Sequence, residues 1–252
     1  MSETILKAEH LKKVFTSGKK TFMAVDDVSF ELKKGQCLGI VGESGSGKST
    51  IARMITGLEH MTEGAVALLG KDITDLKAKE MRKVYRDIQM VFQMPVESFD
   101  PRRTLGDGIM ESLRNMGMSV REAKKRAGEL LIRCGLTPEF AARYPHEVSG
   151  GQCQRAAIAR ALAVSPSVLI CDEATSSLDV TVQKQVLNLL LELKEKEGLS
   201  LLMISHDLAL VQAFCDEVLV LYQGKAVELG TPDEIINHPS SEYTRILMDS
   251  VL

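Results

Sequence analysis

Two glycine-rich turns, a pair of adjacent acids and a histidine are the residues in this sequence best suited to act on a phosphorylated ligand. The first turn is Gly42-Glu43-Ser44-Gly45-Ser46-Gly47-Lys48-Ser49-Thr50. Its glycines let successive backbone N–H groups turn inward as an anion nest, and a helix starting behind them adds the positive end of its dipole. In that setting Lys48 reaches the β- and γ-phosphates of a nucleotide, and Ser49 places its hydroxyl on Mg²⁺. The plainer alternative is a turn rich in glycine and serine. With glycine near about 7% of residues, the pattern arises by chance in roughly one chain of this size in a hundred. The flanks also favour phosphate binding: Cys37–Val41 before the loop reads as a buried strand, and Ile51–Thr56 after it as a helix stopped by Gly57.

The second turn, Val148-Ser149-Gly150-Gly151-Gln152, opens a helix over Cys153–Leu162. It offers the same free N–H groups, a hydroxyl and a dipole, although Ser-Gly-Gly alone is an ordinary helix start. The acids Asp172 and Glu173 end the apolar strand Ser167–Cys171, and carboxyl ends of such strands line the ligand crevice of open α/β sheets. Asp172 there would hold magnesium through water, and Glu173 would polarise the attacking water. A helix N-cap explains one acid more easily than two. Gln93 follows the strand Ile88–Phe92 and precedes Met94-Pro95. It could touch a metal or an attacking water, or simply bond loop backbone. His206 follows the strand Leu199–Ile204 and could donate to a γ-phosphate, although a lone histidine is more often structural. Phe15 could stack on an adenine ring or pack in the core, and periodicity does not choose between the two.

The elements that must position these groups alternate strand and helix. Residues 5–15 and 24–32 read as strands joined by a loop over Thr16–Lys20, with a turn at Lys33-Lys34-Gly35. Ala65–Leu69 is a further strand, and Lys77–Asp87 reads as helix. Strands are missing from residues 94–147, where Thr104–Met116 and the charged amphipathic stretch Val120–Cys134, closed by Gly135, predict helices. This segment reads as a helical insertion. Ser177-Leu178-Asp179 is a turn before the helix Val180–Glu197. Val218–Tyr222 and Ala226–Leu229 form a hairpin turning at Gly224, and helices near Pro232–Asn237 and over Ser241–Val251 close the chain.

At 252 residues the chain can bury a full core. A formal charge of −3 gives no electrostatic reason to expect nucleic acid. The first residues contain no apolar signal segment, and no run of 18 apolar residues is present. Five scattered cysteines, Cys37, Cys134, Cys153, Cys171 and Cys215, with no CxxC, suit buried thiols in a reducing cytoplasm.

Taken in order, these motifs resemble the nucleotide-binding subunit of an ABC transporter over essentially the whole chain. Gly42–Thr50 matches its Walker A motif, Gln93 its Q-loop, and Ser149-Gly150-Gly151-Gln152 its signature, with Val148 where leucine is commoner. Asp172 and Glu173 match the Walker B aspartate and the catalytic glutamate, Ser177-Leu178-Asp179 the D-loop, and His206 the switch histidine. Phe15 stands where the family places its adenine-stacking aromatic. The resemblance implies an α/β fold: a P-loop NTPase (RecA-like) core, an N-terminal antiparallel β subdomain and an inserted α-helical subdomain. Residues 1–93 and 161–252 would form the core with its β subdomain, and residues 94–160 the helical subdomain with the signature.

A narrower resemblance is to ATPases of the peptide/nickel importer group. It rests on Val91-Phe92-Gln93-Met94-Pro95, Ser98-Phe99-Asp100-Pro101-Arg102, Arg143-Tyr144-Pro145-His146-Glu147, His238-Pro239 and Tyr243-Thr244-Arg245. Cys153 departs from the glutamine or arginine usual there. The short C-terminal region without a cysteine cluster looks more like the nickel or metallophore members. The resemblance implies ATP and Mg²⁺ as ligands, with Ser49, Gln93 and Asp172 at the metal, and two subunits packed head to tail so that each signature completes its partner's site. It also implies a second, often non-identical ATPase, a membrane permease on whose cytoplasmic side the chain sits peripherally, and indirectly an extracellular solute-binding protein. The cargo would be a nickel or other metal chelate, or a di- or oligopeptide. The rival reading is a soluble ABC-type ATPase acting on nucleic acid or in translation.

Overall fold

The computed structural model describes residues 3–18, 20–174 and 179–249. Ser177 and Leu178 of the expected D-loop turn lie outside the described residues. The elements run β1 (Thr4–Ser17), β2 (Lys20–Lys33), β3 (Cys37–Val41), α1 (Lys48–Ile55), β4 (Glu63–Leu68), β5 (Lys71–Asp72), α2 (Ala78–Val84) and β6 (Ile88–Val91). Next come α3 (Leu105–Asn115), α4 (Val120–Arg133) and α5 (Gly150–Leu162), then β7 (Val168–Asp172), α6 (Val180–Glu197), β8 (Ser200–Ile204), α7 (Leu208–Phe214), β9 (Glu217–Tyr222), β10 (Lys225–Gly230), α8 (Pro232–Asn237) and α9 (Glu242–Asp249).

These strands form two sheets. The first is antiparallel, in the order β2-β1-β4-β5. The second has the order β10-β9-β3-β8-β7-β6, parallel except for the edge strand β10. Its central strands are apolar apart from residues at their ends, because both faces are covered. Alternate residues serve different cores. Leu38, Ile40, Val168, Ile170, Leu202 and Ile204 pack toward α1 and the antiparallel sheet. Cys37, Val41, Leu169, Cys171, Leu201 and Met203 pack on the other face, in one contiguous cluster with Leu105, Ile109, Leu130 and Ile158 of α3–α5. The helical segment thus shares its core with the sheet.

Several boundaries differ from the sequence reading. The β1–β2 hairpin is longer than expected, with Thr16 opposite Thr21 and Ser17 opposite Lys20, so the loop proposed over Thr16–Lys20 is mostly strand. α1 begins at Lys48, three residues earlier than read, and α5 begins at Gly150 rather than Cys153. In α1 the helix takes in Lys48, Ser49 and Thr50 of the glycine-rich loop, and in α5 the reciprocal cap of Ser149 and Gln152 overrides the weak helix propensity of Gly150 and Gly151. β5 and α7 were not anticipated; both are short, at two and seven residues. All five cysteines are buried free thiols, as their scatter suggested. Burial pushes the Cys134 and Cys171 thiols up to about 12 and Cys153 to about 11.

Candidate nucleotide site

The carboxyl ends of β3, β6, β7 and β8 lie side by side, and each delivers part of the predicted constellation. After β3 the chain turns through Gly42, whose φ is +147°, and Gly47, whose φ is +106°. A Cβ on Gly42 would stand 2.1 Å from the Leu221 carbonyl oxygen, and one on Gly47 would stand 2.4 Å from that of Ala24. Both positions therefore need glycine for space as well as for backbone angle. Gly42→Ala should cost on the order of 1–3 kcal/mol and lower the melting temperature by about 3–10 °C in differential scanning fluorimetry. An unchanged melting temperature would contradict this packing.

Gly47 caps α1, so Lys48 and Ser49 sit in its first turn. The Lys48 side chain is buried, and its ammonium donates to the carbonyls of Gly42 and Glu43, both at 2.7 Å, and to Ser46 Oγ at 3.4 Å. Burial lowers the Lys48 pKa, while the nearby carboxylates of Glu173, Asp172 and Glu43 work the other way. Ser49 Oγ donates to Asp172 Oδ1 at 2.9 Å. Burial raises the Asp172 pKa, with that hydrogen bond opposing the shift. A hydroxyl and a carboxylate in hydrogen-bond contact, beside a buried ammonium, are hard oxygen donors of the kind that bind Mg²⁺ together with substrate phosphates.

Glu173 follows with φ +47°, a left-handed backbone uncommon for a residue with a side chain. Its N–H donates to the Ile204 carbonyl at 3.0 Å, which ties the end of β7 to β8. Both carboxylate oxygens are engaged: Gln93 Nε2 donates to Oε2 at 2.6 Å, and His206 Nδ1 lies 3.4 Å from Oε1. Lys48, Ser49, Asp172, Glu173, Gln93 and His206 are thus brought into one linked group.

The remaining predicted residues lie outside that group. Ser149 and Gln152 form a reciprocal cap at the start of α5: the Gln152 N–H donates to Ser149 Oγ at 3.3 Å, and the Ser149 N–H to Gln152 Oε1 at 2.9 Å. Ser149 and Gly150 are solvent-exposed, with Gly151 and Gln152 half-buried behind them. Asp179 caps α6 by accepting from the N–H groups of Thr181 and Val182. Phe15 is 39% exposed, with the Lys13 ammonium 4.7 Å from its ring centroid, so its ring is not core packing.

Two supports of the loop escaped the sequence reading. The Gly224 N–H donates to the Ser46 carbonyl at 3.1 Å, bracing the loop from the β9–β10 turn. The Glu43 N–H donates to Tyr243 Oη at 3.2 Å from α9. Neither leaves a periodic signal, although a glycine in a hairpin turn at least marks a place of close approach.

Residues 25–176 match the profile of the family described as ABC transporter. The chain belongs to the ABC transporter family. Among curated relatives, the oligopeptide transport ATP-binding protein OppF of Salmonella typhimurium is 51% identical over 95% of this chain and 72% of its own length. The oligopeptide transport ATP-binding protein AppF of Bacillus subtilis is 48% identical over 99% of this chain and 78% of its own. Among solved structures, the dimeric post-hydrolysis state of the ATP-binding cassette MJ0796, bound to ADP and Pi, superposes with a TM-score of 0.86. That match has 32% identity and covers 90% of this chain and 99% of MJ0796. The two-sheet α/β architecture is that of an ABC ATPase with a P-loop NTPase core. The protein is accordingly an ATP-binding ABC ATPase coupled to transport.

Proposed function

We propose that this chain powers the import of peptides. The observation that supports ATP hydrolysis as the source of power is the convergence of Lys48, Ser49, Asp172, Glu173, Gln93 and His206 at the carboxyl edge of the parallel sheet, and the peptide cargo rests on the names of the relatives. Residues 42–50 cradle the ATP phosphates, Lys48 faces the β- and γ-phosphates, and Phe15 stacks on the adenine. Ser49, Asp172 and Gln93 hold Mg²⁺, which when bound neutralises charge on the phosphates. Glu173 accepts the proton of the attacking water, with Gln93 and His206 orienting its carboxylate. His206 is placed to donate to the γ-phosphate as charge develops there.

Ser149–Gln152 serve a second cassette across a head-to-tail interface. The exposure of Ser149 and Gly150 supports this, because an opposing nucleotide can reach an anion-binding helix start only if it is open. Asp179 lies at the same interface. The second cassette is a homologous, non-identical ATPase. Residues 94–160 move as a unit and pass the closure to a permease on the cytoplasmic side of the membrane, and an extracellular binding protein supplies the solute. Among the described residues, no helix is long and apolar enough to cross a membrane.

The relatives' names favour oligopeptides over the nickel chelate that the short C-terminal region suggested, and they do not favour a nucleic-acid or translation role. A strain lacking this chain should lose uptake of labelled tri- to pentapeptides, keep nickel uptake, and recover with the wild-type gene. Loss of nickel uptake alone would move the cargo to metal. Loss of neither would remove both cargo readings.

A further inference from the structure

The Tyr243-Thr244-Arg245 stretch lies outside the nucleotide-binding motifs. Tyr243 lies in the first turn of α9, 200 residues from Glu43 of the phosphate loop, yet its hydroxyl accepts the Glu43 N–H at 3.2 Å. That N–H belongs to the same peptide unit as the Gly42 carbonyl, which accepts from the Lys48 ammonium at 2.7 Å. One peptide plane is therefore clamped from both sides: its oxygen by the lysine expected to face phosphate, and its N–H by a tyrosine from the far end of the chain.

The tyrosine is itself held. Its ring stacks on Tyr222, with centroids 4.0 Å apart, and Tyr222 ends the strand whose Leu221 carbonyl lies against Gly42. The segment leading into α9 is fixed by Glu228, whose carboxylate accepts from the N–H groups of Ser240 and Ser241 at 2.8 and 3.1 Å. Arg245 reaches back to the carbonyls of Pro239 and Ser240. A strap running from β10 into α9 thus delivers one hydroxyl to the entrance of the phosphate loop.

We propose that Tyr243 is a positioning residue for ATP binding, holding the Gly42–Glu43 peptide in the orientation that aims Lys48 and readies the loop for phosphate. Gly42, at φ +147°, has no side chain to restrict its backbone, so the orientation of its peptide is set by the groups that hold it. Without the hydroxyl, ordering that peptide falls on the nucleotide and weakens its binding. The chemistry downstream of binding is untouched, because Glu173, Gln93 and His206 are held by their own hydrogen bonds.

This inference rests on the phosphate-loop reading of residues 42–50, so the test includes Lys48→Ala beside Tyr243→Phe. The phenylalanine keeps the ring stack and removes only the acceptor. Binding of a fluorescent ATP analogue with Mg²⁺ is measured on the full chain, and steady-state phosphate release on the full chain assembled with its partner cassette and permease, at least ten degrees below each variant's melting midpoint. Losing one neutral hydrogen bond's worth of preorganisation predicts an increase of about 3- to 10-fold in Kd and in KM for ATP, with kcat within twofold of wild type. Tyr243→Leu, which also removes the stack, should be at least as weak a binder. If Tyr243→Phe binds with wild-type affinity while Lys48→Ala does not bind, Tyr243 has no such role and the loop reading stands. A fall in kcat with Kd unchanged overturns the inference as well. Undiminished binding by Lys48→Ala removes the loop reading itself.

Discussion

Lys48→Ala should abolish tight binding of MgATP. The Lys48 side chain is buried and surrounded by the Gly42 and Glu43 carbonyls and the Ser46 hydroxyl, with three carboxylates near enough to support its charge. An ammonium held this way has already lost most of its water. Phosphate oxygens replace neutral carbonyl partners with anionic ones, and charge-assisted bonds are about twice as strong. Removing one partner of a buried charge pair costs on the order of 3–5 kcal/mol, or roughly a hundred- to a few thousandfold in affinity. Titration with a fluorescent ATP analogue measures it. Wild-type affinity in the variant would mean that residues 42–50 do not bind phosphate.

Glu173→Gln should leave ATP affinity within a few-fold of wild type and lower turnover by at least about a hundredfold, since positioned general bases contribute about 10²–10⁴ in rate. The substitution keeps the side-chain shape and leaves an amide oxygen that can still accept from Gln93. The left-handed backbone and the bond to Ile204 do not depend on the carboxylate. What is lost is basicity beside the attacking water. With hydrolysis blocked, ATP should also shift the variant, together with its partner cassette, toward a stable dimer in light scattering. Hydrolysis at the wild-type rate would remove Glu173 from the chemistry. A wild-type assembly with partner and permease that never releases phosphate would remove ATP hydrolysis as the source of power.

Much of the site was legible because its chemistry is written in contiguous or strand-terminal residues. Gly42–Thr50 follows a five-residue apolar strand, and Asp172, Gln93 and His206 each fall at or just past the end of an apolar run, so their convergence follows from a parallel sheet. The start of α5 was misplaced by three residues because glycine is a poor helix former. There, Ser149 and Gln152 satisfy each other's backbone N–H groups, and that reciprocal cap carries Gly150 and Gly151 into the helix. α7 was missed because its seven residues contain barely two turns of periodicity. The contacts of Tyr243 and Gly224 with the loop span 200 and 178 residues, and no local pattern encodes a hydrogen bond between such distant groups.

The neighbours of β3 set a schedule for synthesis. This central strand pairs with β8 on one side and β9 on the other, Cys37 against Leu201 and Leu38 against Glu217, so both of its edges wait for residues made more than 160 positions later. At about 5–20 residues per second, the ribosome leaves a five-residue apolar strand unpaired for roughly 8–30 s after it emerges. The phosphate loop at its end cannot take its final shape in that interval, because its braces at Gly224 and Tyr243 come later still. A nascent chain stalled before residue 200 therefore carries the complete phosphate-loop sequence with neither edge of β3 covered, an aggregation hazard that chaperones must shield.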